Sequence, residues 1–306
     1  NKNMPSVLCI CLSPTIQRTV TFDYLHINSV NRCRQYRQDA SGKAVNSARV
    51  LNQLEPGCAT AVCPLGKTNA ALFMELAEQD KIAVIPVETP GSTRECWTLL
   101  DRAQGTTTEL VADEPTDKYD FSDAQAEMLA EIETNIEKCD AVLMAGSCPK
   151  YFSDGLPAVI AKMASDRRKF LLADYCGENL QKTLALCTPA VIKINEEEFC
   201  STFGFDLFIT EEQLKNAVAE KSRTLGCIIV VTRGKKSTFA AENGAFVEFN
   251  SEEVRAVNTT ACGDSFSAGF MHEYLRSHNL AESLAKGTWC AARNAESEVP
   301  GSVKAI

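Results

Sequence analysis

The second half of the chain alternates short apolar segments with segments that carry apolar residues at helical spacing. The pattern predicts strands over 141–145, 170–174, 190–194 and 227–232. It predicts helices over 124–136, 156–165, 179–186, 211–225 and 265–276. This alternation favours a mostly parallel sheet with helices on both faces, which is an α/β fold. Ligands of such folds bind at the carboxyl ends of the strands, so motifs at those positions take priority.

The first part of the chain predicts a smaller sheet beside this core. Residues 7–12 read as a buried strand and Val20–Tyr24 as a half-buried one, while residues 44–54 read as a helix that starts after a glycine turn. No repeat, low-complexity tract or linker divides the 306 residues. We therefore expect one domain over 1–306, with a small sheet formed from about 10–40 and 90–113.

Composition and charge exclude several classes of partner. The net charge of -9 gives no general attraction to a nucleic acid. The longest aliphatic runs fall far short of the ~20 residues that cross a bilayer, so no membrane partner is expected. Fourteen cysteines leave a disulfide framework open, but many lie in apolar stretches where a free thiol packs as a small hydrophobe. Reduced cysteines and a cytoplasmic location are the expectation.

The segment VNTTACGDSFSAGF at 257–270 is the most informative for chemistry. Three small residues, Ala261, Cys262 and Gly263, precede Asp264, and an apolar-periodic helix follows at once. Unpaired amides at such a helix start attract the charge of a moving phosphoryl group, and Asp264 could accept a hydroxyl proton. Alternatively, Asp264 only caps the helix.

This segment resembles the signature D-T-x-G-A-G-D-x-F-x-x-G of the ribokinase/PfkB carbohydrate kinases. Thr259, Gly263, Asp264, Phe266 and Gly269 match it. The resemblance implies a ribokinase-like three-layer α/β/α fold with a small β-sheet lid, and an anion hole formed by 261–264 with Asp264 as catalytic base.

Four other elements of the family precede this signature and occur in the family's order along the chain. SGKAVNSARVL resembles the sugar-contact turn G-G-K-x-x-N-x-A, with Gly42, Lys43 and Asn46 in register. The tetrapeptide at 146–149 resembles the turn G-S-L-P. Asn195 to Glu198 resembles the N-x-x-E element, and Thr232 to Gly234 resembles the T-x-G nucleotide turn.

The resemblance implies ATP and Mg²⁺ as cofactors. ATP would be bound by Lys193, Asn195, Thr232, Gly234 and, near the adenine, Asn294. Glu198 would hold Mg²⁺ indirectly, through water, because this ion keeps most of its hydration shell. In isolation, Asn195 and Glu198 could equally be polar residues at a helix entry.

Further features resemble the branch that phosphorylates hexose phosphates, namely 1-phosphofructokinases and tagatose-6-phosphate kinases. The turn before ECWTLLD resembles that branch's T-R turn, which implies that Arg94 and Lys43 bind the phosphate of the acceptor. Gln17 stands where the branch has a substrate-binding aspartate, and Ser13 stands where it has an asparagine. In this branch the small sheet often pairs two subunits, which implies a homodimer.

Two departures keep other functions open. The altered residues Gln17, Ala261 and Cys262 are compatible with a non-catalytic sensor of sugar phosphates or nucleotides on the same fold. The loss of a carboxylate at Gln17 also leaves a kinase for an unphosphorylated sugar as an alternative. If Ala261 must adopt a positive φ, its backbone is strained.

Overall fold

The computed structural model describes residues 5–33, 35–114 and 118–304. Within these residues the chain forms thirteen strands, which are β1 (Val7–Ile10), β2 (Thr15–Phe22), β3 (Gln35–Ser41), β4 (Ala59–Gly66), β5 (Ala83–Thr89), β6 (Glu95–Asp101), β7 (Thr106–Val111), β8 (Ala141–Ala145), β9 (Phe170–Asp174), β10 (Val191–Asn195), β11 (Ile228–Thr232), β12 (Thr238–Glu242) and β13 (Ala245–Phe249).

The same residues form nine helices. They are α1 (Lys43–Leu54), α2 (Ala70–Gln79), α3 (Ser122–Lys138), α4 (Leu156–Asp166), α5 (Gly177–Leu186), α6 (Glu196–Phe203), α7 (Glu211–Leu225), α8 (Cys262–Ser277) and α9 (Leu280–Ala295). None of the helices in the described part of the chain is long and apolar enough to cross a membrane.

Nine strands form the central sheet, in the order β13-β12-β11-β10-β9-β8-β1-β4-β5. All neighbours from β11 to β5 pair in parallel, and β12 and β13 add an antiparallel hairpin at one edge. From β1 the chain continues to β4 on one side, and it later returns to β8 on the other. The sheet therefore has a switch of direction beside β1, where ligands of open α/β sheets bind at the carboxyl ends of the strands.

Two apolar cores cover the two faces of this sheet. One core contains the buried side chains of α1, α2, α8 and α9, and the other contains those of α3, α4, α5, α6 and α7. Parallel strands need cover on both faces, which explains why β1, β8 and β11 consist almost entirely of buried apolar residues. The result is the three-layer α/β/α arrangement that the sequence predicts.

A second, four-stranded sheet lies apart from the first, in the order β3-β2-β6-β7. Its strands come from the two stretches that the sequence assigns to a small sheet. β2 pairs with β3 in antiparallel and with β6 in parallel orientation. This sheet brings Gln17 and Thr98 together on neighbouring strands.

Some predicted elements differ in extent from those observed. The strand predicted over 20–24 instead covers Thr15–Phe22, because this whole segment pairs with β3 on one side and β6 on the other. The strand predicted over 7–12 ends at Ile10, where its pairing with β4 and β8 stops. The segment 59–89, which contains β4, α2 and β5, was not predicted from the pattern.

Candidate functional site

The start of helix α8 is shaped by a residue in the left-handed conformation. Ala261 caps the helix with φ 67° and ψ 11°. An L-residue in this region is strained, and glycine tolerates the same conformation without a steric penalty. The sequence analysis expects strain if Ala261 adopts a positive φ, and the structure has this positive φ.

Two backbone amides at the start of α8 are unpaired among the described residues, as is usual in the first turn of a helix. The N–H of Ser265 donates to the carbonyl of Ala261 at 2.9 Å, and the N–H of Cys262 donates to the carbonyl of Thr259 at 3.3 Å. Within 5–33, 35–114 and 118–304, the N–H groups of Gly263 and Asp264 have no acceptor. Together with the helix dipole, these two donors can stabilise an anion.

Asp264 is held beside these amides by a residue from the first part of the chain. Its side chain is only 5% exposed, and its Oδ2 accepts a hydrogen bond from Nδ2 of Asn46 at 3.0 Å. Ser47 Oγ donates to the backbone carbonyl of Asp264 at 2.9 Å. Burial raises the pKa of Asp264 above its ordinary value, and the charge of Asp174 adds to this, while Lys43 and Asn46 oppose it. A carboxylate with a raised pKa is a better proton acceptor.

Asp174, at the end of β9, is a member of this site that the sequence did not single out. It is fully buried and accepts from Nζ of Lys43 at 3.0 Å and from Nζ of Lys193 at 3.3 Å. Ser267 Oγ donates to the same carboxylate at 3.1 Å. Burial alone would raise the pKa of Asp174, but the two ammonium groups outweigh this and lower it. Its position at the carboxyl end of a predicted strand was the available signal.

The two lysines reach the site from opposite parts of the fold. Lys43 is the first residue of α1, after Gly42, whose φ of 120° and contact with Cys11 exclude a side chain there. Burial lowers the pKa of Lys43, but Asp174, Asp264 and Glu198 outweigh this and raise it, so its ammonium stays charged.

Lys193, on β10, is 4% exposed and also donates to the carbonyl of Gly263 at 2.9 Å. It therefore connects β10 to the start of α8. A Cβ on Gly263 would lie 3.1 Å from Nζ of Lys193, so the glycine permits this close approach.

Asn294 braces the same turn from helix α9. Its side chain is fully buried, and its Nδ2 donates to the carbonyl of Thr260 at 2.8 Å and to Sγ of Cys262 at 3.2 Å. Its Oδ1 accepts from Ser265 Oγ and from the N–H of Gly301. Both polar groups of the Asn294 side chain are thus bonded within the protein. Its Nδ2 contacts the 260–262 turn and is not exposed to solvent.

The small sheet contacts the turn through a chain of hydroxyl groups. Gln17 Nε2 donates to Thr98 Oγ1 at 2.7 Å, and Thr98 Oγ1 lies 3.3 Å from Thr260 Oγ1. Thr260 also donates to Glu109 of β7 at 2.9 Å. Gln17 is thus placed next to the turn, but its amide nitrogen is engaged by Thr98.

Arg94 lies in a pocket at the start of β6, where its closest charged partner is Glu114. Its Nε is 3.5 Å from Oε1 of Glu114. No contact in the described part of the chain joins Arg94 directly to Lys43 or Asp264. The sequence analysis pairs Arg94 with Lys43 as ligands of the acceptor's phosphate, and this pairing stays a prediction.

Three of the residues predicted for ATP, Asn195, Thr232 and Gly234, lie where β10 and β11 end. Asn195 and Glu198 form a reciprocal capping box on α6, with hydrogen bonds of 2.8 and 2.9 Å. Thr232 is paired with Asn195 in the parallel register, and Gly234 follows with φ 62°. Between them, Arg233 stacks on the ring of Phe239 at 4.0 Å and lies 3.5 Å from Glu196, which fixes the turn to α6.

Glu198 could hold a hydrated cation. Only its Oε2 takes part in the capping box, and its charge acts on Lys43. No group of three or more His, Cys, Asp or Glu residues suited to a metal ion occurs in the described ranges. A single carboxylate oxygen fits Mg²⁺ bound mainly by water and phosphate oxygens, and it does not fit a cage made of protein ligands alone.

Comparison with known proteins gives one consistent family. Residues 8–303 match the model of the pfkB family of carbohydrate kinases. A tagatose-6-phosphate kinase of Staphylococcus epidermidis is 26% identical over 299 residues, which cover 97% of this chain and 94% of the relative.

Solved structures show the same fold. The phosphofructokinase-2 of Escherichia coli in complex with potassium aligns with a TM-score of 0.85 at 18% identity, covering 96% of this chain and 94% of that one. A possible 1-phosphofructokinase of Thermotoga maritima aligns with a TM-score of 0.86 at 19% identity, covering 96% and 93% of the two chains. These likenesses confirm the ribokinase-like architecture.

Proposed function

Because the chain belongs to the pfkB family of carbohydrate kinases, we propose that it transfers the γ-phosphate of ATP to a hydroxyl of a ketohexose phosphate. The acceptor would be of the fructose 1-phosphate or tagatose 6-phosphate type. The observation that carries this proposal is the position of Asp264, buried beside two unpaired amides and held by Asn46. The name of the Staphylococcus epidermidis relative supports an acceptor that already carries a phosphate.

Asp264 is proposed as the general base. Its Oδ2 is fixed by Asn46, and none of the described side chains donates to Oδ1, which can take the proton of the acceptor hydroxyl. The raised pKa brings the carboxylate closer to the basicity that proton transfer near neutral pH requires. The hydroxyl oxygen then attacks the γ-phosphorus, and the bond to the β-phosphate oxygen breaks to release ADP.

The turn 261–264 is proposed as the anion hole for the transferred group. Ala261 precedes the helix with a positive φ, Cys262 begins the helix, and the N–H groups of Gly263 and Asp264 have no acceptor among the described residues. Phosphoryl transfer depends mainly on positioning and on such charge stabilisation. Lys193 would add a positive charge while it holds the carbonyl of Gly263.

The acceptor would lie against the N-terminus of α1. Lys43 is charged and partly exposed, and Gly42 lets the backbone approach closely. Asn46, Gln17 and Arg94 complete the proposed acceptor side. Because Gln17 replaces a carboxylate and donates to Thr98, the hydroxyl pattern of the accepted sugar is expected to differ from that of relatives with an aspartate.

ATP use follows from the family, and its place in this chain is part of the proposal. We assign the nucleotide to the edge formed by Asn195, Thr232 and Gly234, next to Lys193. Mg²⁺, held through water by Glu198, would neutralise phosphate charge when bound. Asn294 is expected to act on this side indirectly, by holding the turn at Thr260 and Cys262.

We further propose that residues 1–306 form a single domain in which the four-stranded sheet acts as a lid. Its hydroxyl contacts to Thr260 support this, since a lid must reach the reacting groups and exclude water. The sheet also exposes Tyr36, Leu110 and Val111, and apolar side chains of this kind support a homodimer through this surface. The fourteen free thiols support a reducing, cytoplasmic location.

An unphosphorylated sugar is the second candidate acceptor. It is less well supported, because the Staphylococcus epidermidis relative is named for a sugar phosphate. A non-catalytic sensor is also less well supported, because the relative that matches nearly the whole chain is named as a kinase.

An ADP-release screen tests the proposal. The acceptors are fructose 1-phosphate, fructose 6-phosphate, tagatose 6-phosphate, fructose and tagatose, each with ATP and Mg²⁺. We expect release with at least one phosphosugar and little with the free sugars. Binding of ATP and phosphosugar without any ADP release would support the sensor, and equal turnover of free sugars would support the second acceptor. The Asp264→Asn variant gives the background rate.

A further inference from the structure

Glu114 occupies a fixed position opposite Arg94. Its side chain is 17% exposed, and its Oε1 accepts a hydrogen bond from Ser13 Oγ as well as facing Nε of Arg94. Ser13 is itself buried and follows β1. The carboxylate is therefore anchored by the protein and is not a freely rotating surface charge.

The guanidinium of Arg94 is not satisfied by this carboxylate. Its Nε is buried and has no hydrogen-bond acceptor among the described residues, because the 3.5 Å distance to Glu114 is too long for a good hydrogen bond. Burying an unpaired donor is costly, so Arg94 favours a better-placed oxygen ligand. A phosphate can supply oxygens in the paired geometry that a guanidinium prefers.

The charges of both residues act in a poorly solvated pocket. The pocket is lined by Arg94, Glu114 and the ring of Tyr151, which stacks on Phe121 at 4.0 Å. Burial raises the pKa of the Tyr151 hydroxyl, and the negative charge of Glu114 adds to this effect. Charges in such surroundings are weakly screened, so a second anion placed near Glu114 would meet strong repulsion.

We propose that Glu114 is a specificity-determining residue that competes with the acceptor's phosphate for Arg94. The inference rests on the proposed function, since it takes Arg94 as the phosphate ligand. A dianionic phosphate can outcompete one carboxylate for the guanidinium, whereas a neutral sugar cannot. Glu114 thereby lowers the affinity for every anion at Arg94, so that only a strongly charged ligand such as a phosphate binds there.

The test measures anion binding directly, without turnover. Inorganic phosphate is titrated into the full chain by calorimetry at low ionic strength, without ATP. Glu114→Gln should bind phosphate about tenfold more tightly or better than the parent, because a repelling charge is removed. Asp113→Asn, an exposed neighbour with the same change of charge, should bind as the parent does.

The Arg94→Ala variant shows whether the tighter phosphate binding occurs at Arg94. In this variant, adding Glu114→Gln should no longer tighten phosphate binding. A gain that persists without Arg94, or a Glu114→Gln variant that binds phosphate no better than the parent, would overturn the inference. Ser13→Ala removes the anchor of Glu114 and should give a smaller gain, which provides the test if Glu114→Gln does not fold.

The screen for ADP release separates the two proposals. If no phosphosugar is turned over, the proposed function fails, and the phosphate titration still decides whether Glu114 competes for Arg94. If turnover is present, Glu114→Gln should lower the KM of the phosphosugar, and an unchanged or raised KM would count against the inference.

Discussion

The amide of Asn46 donates a hydrogen bond to Oδ2 of Asp264 across 3.0 Å, although 218 positions separate the two residues in the chain. Asn46 also accepts from Ser41 Oγ and from Arg49, so its orientation is fixed by its own neighbours. The acceptor side of the site, at the start of α1, is thus connected directly to the proposed base at the start of α8.

Replacing the proposed base should abolish most turnover. Asp264→Asn keeps the size of the side chain and removes its ability to accept a proton, so kcat should fall by ~10²-fold or more. ADP release at saturating substrates measures this, and Asp123→Asn, in the first turn of α3, is the matched control. Near-normal kcat in Asp264→Asn would reject the general-base role.

The pH dependence of activity should reflect the raised pKa of Asp264. A general base must be deprotonated, so kcat/KM should fall as the pH drops through this pKa, and the midpoint should lie above the ordinary value of 3.8. Measurements from pH 4 to 8 in one buffer series of constant ionic strength test this. An activity that is flat down to the ordinary range would contradict the raised pKa.

Substitution by asparagine should change the stability of the protein in opposite directions at the two buried aspartates, Asp264 and Asp174. The raised pKa of Asp264 means that its ionisation destabilises the folded state as the pH rises, so Asp264→Asn should raise the Tm at pH 7. The lowered pKa of Asp174 means that its charge stabilises the folded state above its unfolded pKa, and this stabilisation is lost as the pH falls.

Asp174→Asn should therefore lower the free energy of unfolding at pH 7 by about 3 kcal/mol, because it leaves Lys43 and Lys193 without their shared counter-ion. Denaturant unfolding of both variants measures the two effects. Changes of the same sign in both would show that the charges of the cluster are assigned wrongly.

Relieving the strain of the turn should stabilise the protein. Ala261→Gly removes the Cβ from a residue with φ 67°, and the free energy of unfolding should rise by up to about 1 kcal/mol. The same substitution at Ala268, in the middle of α8, should instead destabilise by about 1 kcal/mol or more. Destabilisation by Ala261→Gly would mean that the alanine methyl group makes contacts that outweigh the strain.

Removing the guanidinium of Arg94 should weaken the binding of the acceptor and leave the binding of ATP unchanged. Arg94→Ala is expected to raise the KM of a phosphosugar at least tenfold and to leave the KM of ATP nearly unchanged. Arg102→Ala, which removes an exposed guanidinium just after β6, is the control and should change neither constant. A similar rise in both KM values would assign Arg94 a structural role.

Much of the fold could be predicted because its later half repeats one simple pattern. Residues 141–145 and 170–174 form strands over the predicted ranges, since buried parallel strands are short, uninterrupted apolar runs. The pattern gave no prediction for β4, whose segment contains Pro64, a residue that is rare within inner strands. In the structure Pro64 lies past the end of the pairing with β1, which stops at Val62, and it pairs only with Val87 of β5.

The composition of the site was less predictable than its location. The resemblance to family motifs identified Lys43 and Asn46 near Asp264, but hydrogen-bond partners from distant segments leave no local pattern. Thr98 and Asp174 show this, because their roles arise only when β6 meets the turn at Thr260 and when β9 meets Lys43. The contact of Arg94 with Glu114 could not be inferred from spacing for the same reason.

The place of β1 in the central sheet has a consequence for synthesis on the ribosome. This strand pairs with β4 and with β8, so one of its two edges stays open until residues 141–145 have emerged. Asp264 emerges later still, and the nascent chain must stay free of aggregation through that interval. Chaperone dependence of the yield should therefore be greatest for chains stalled before β8.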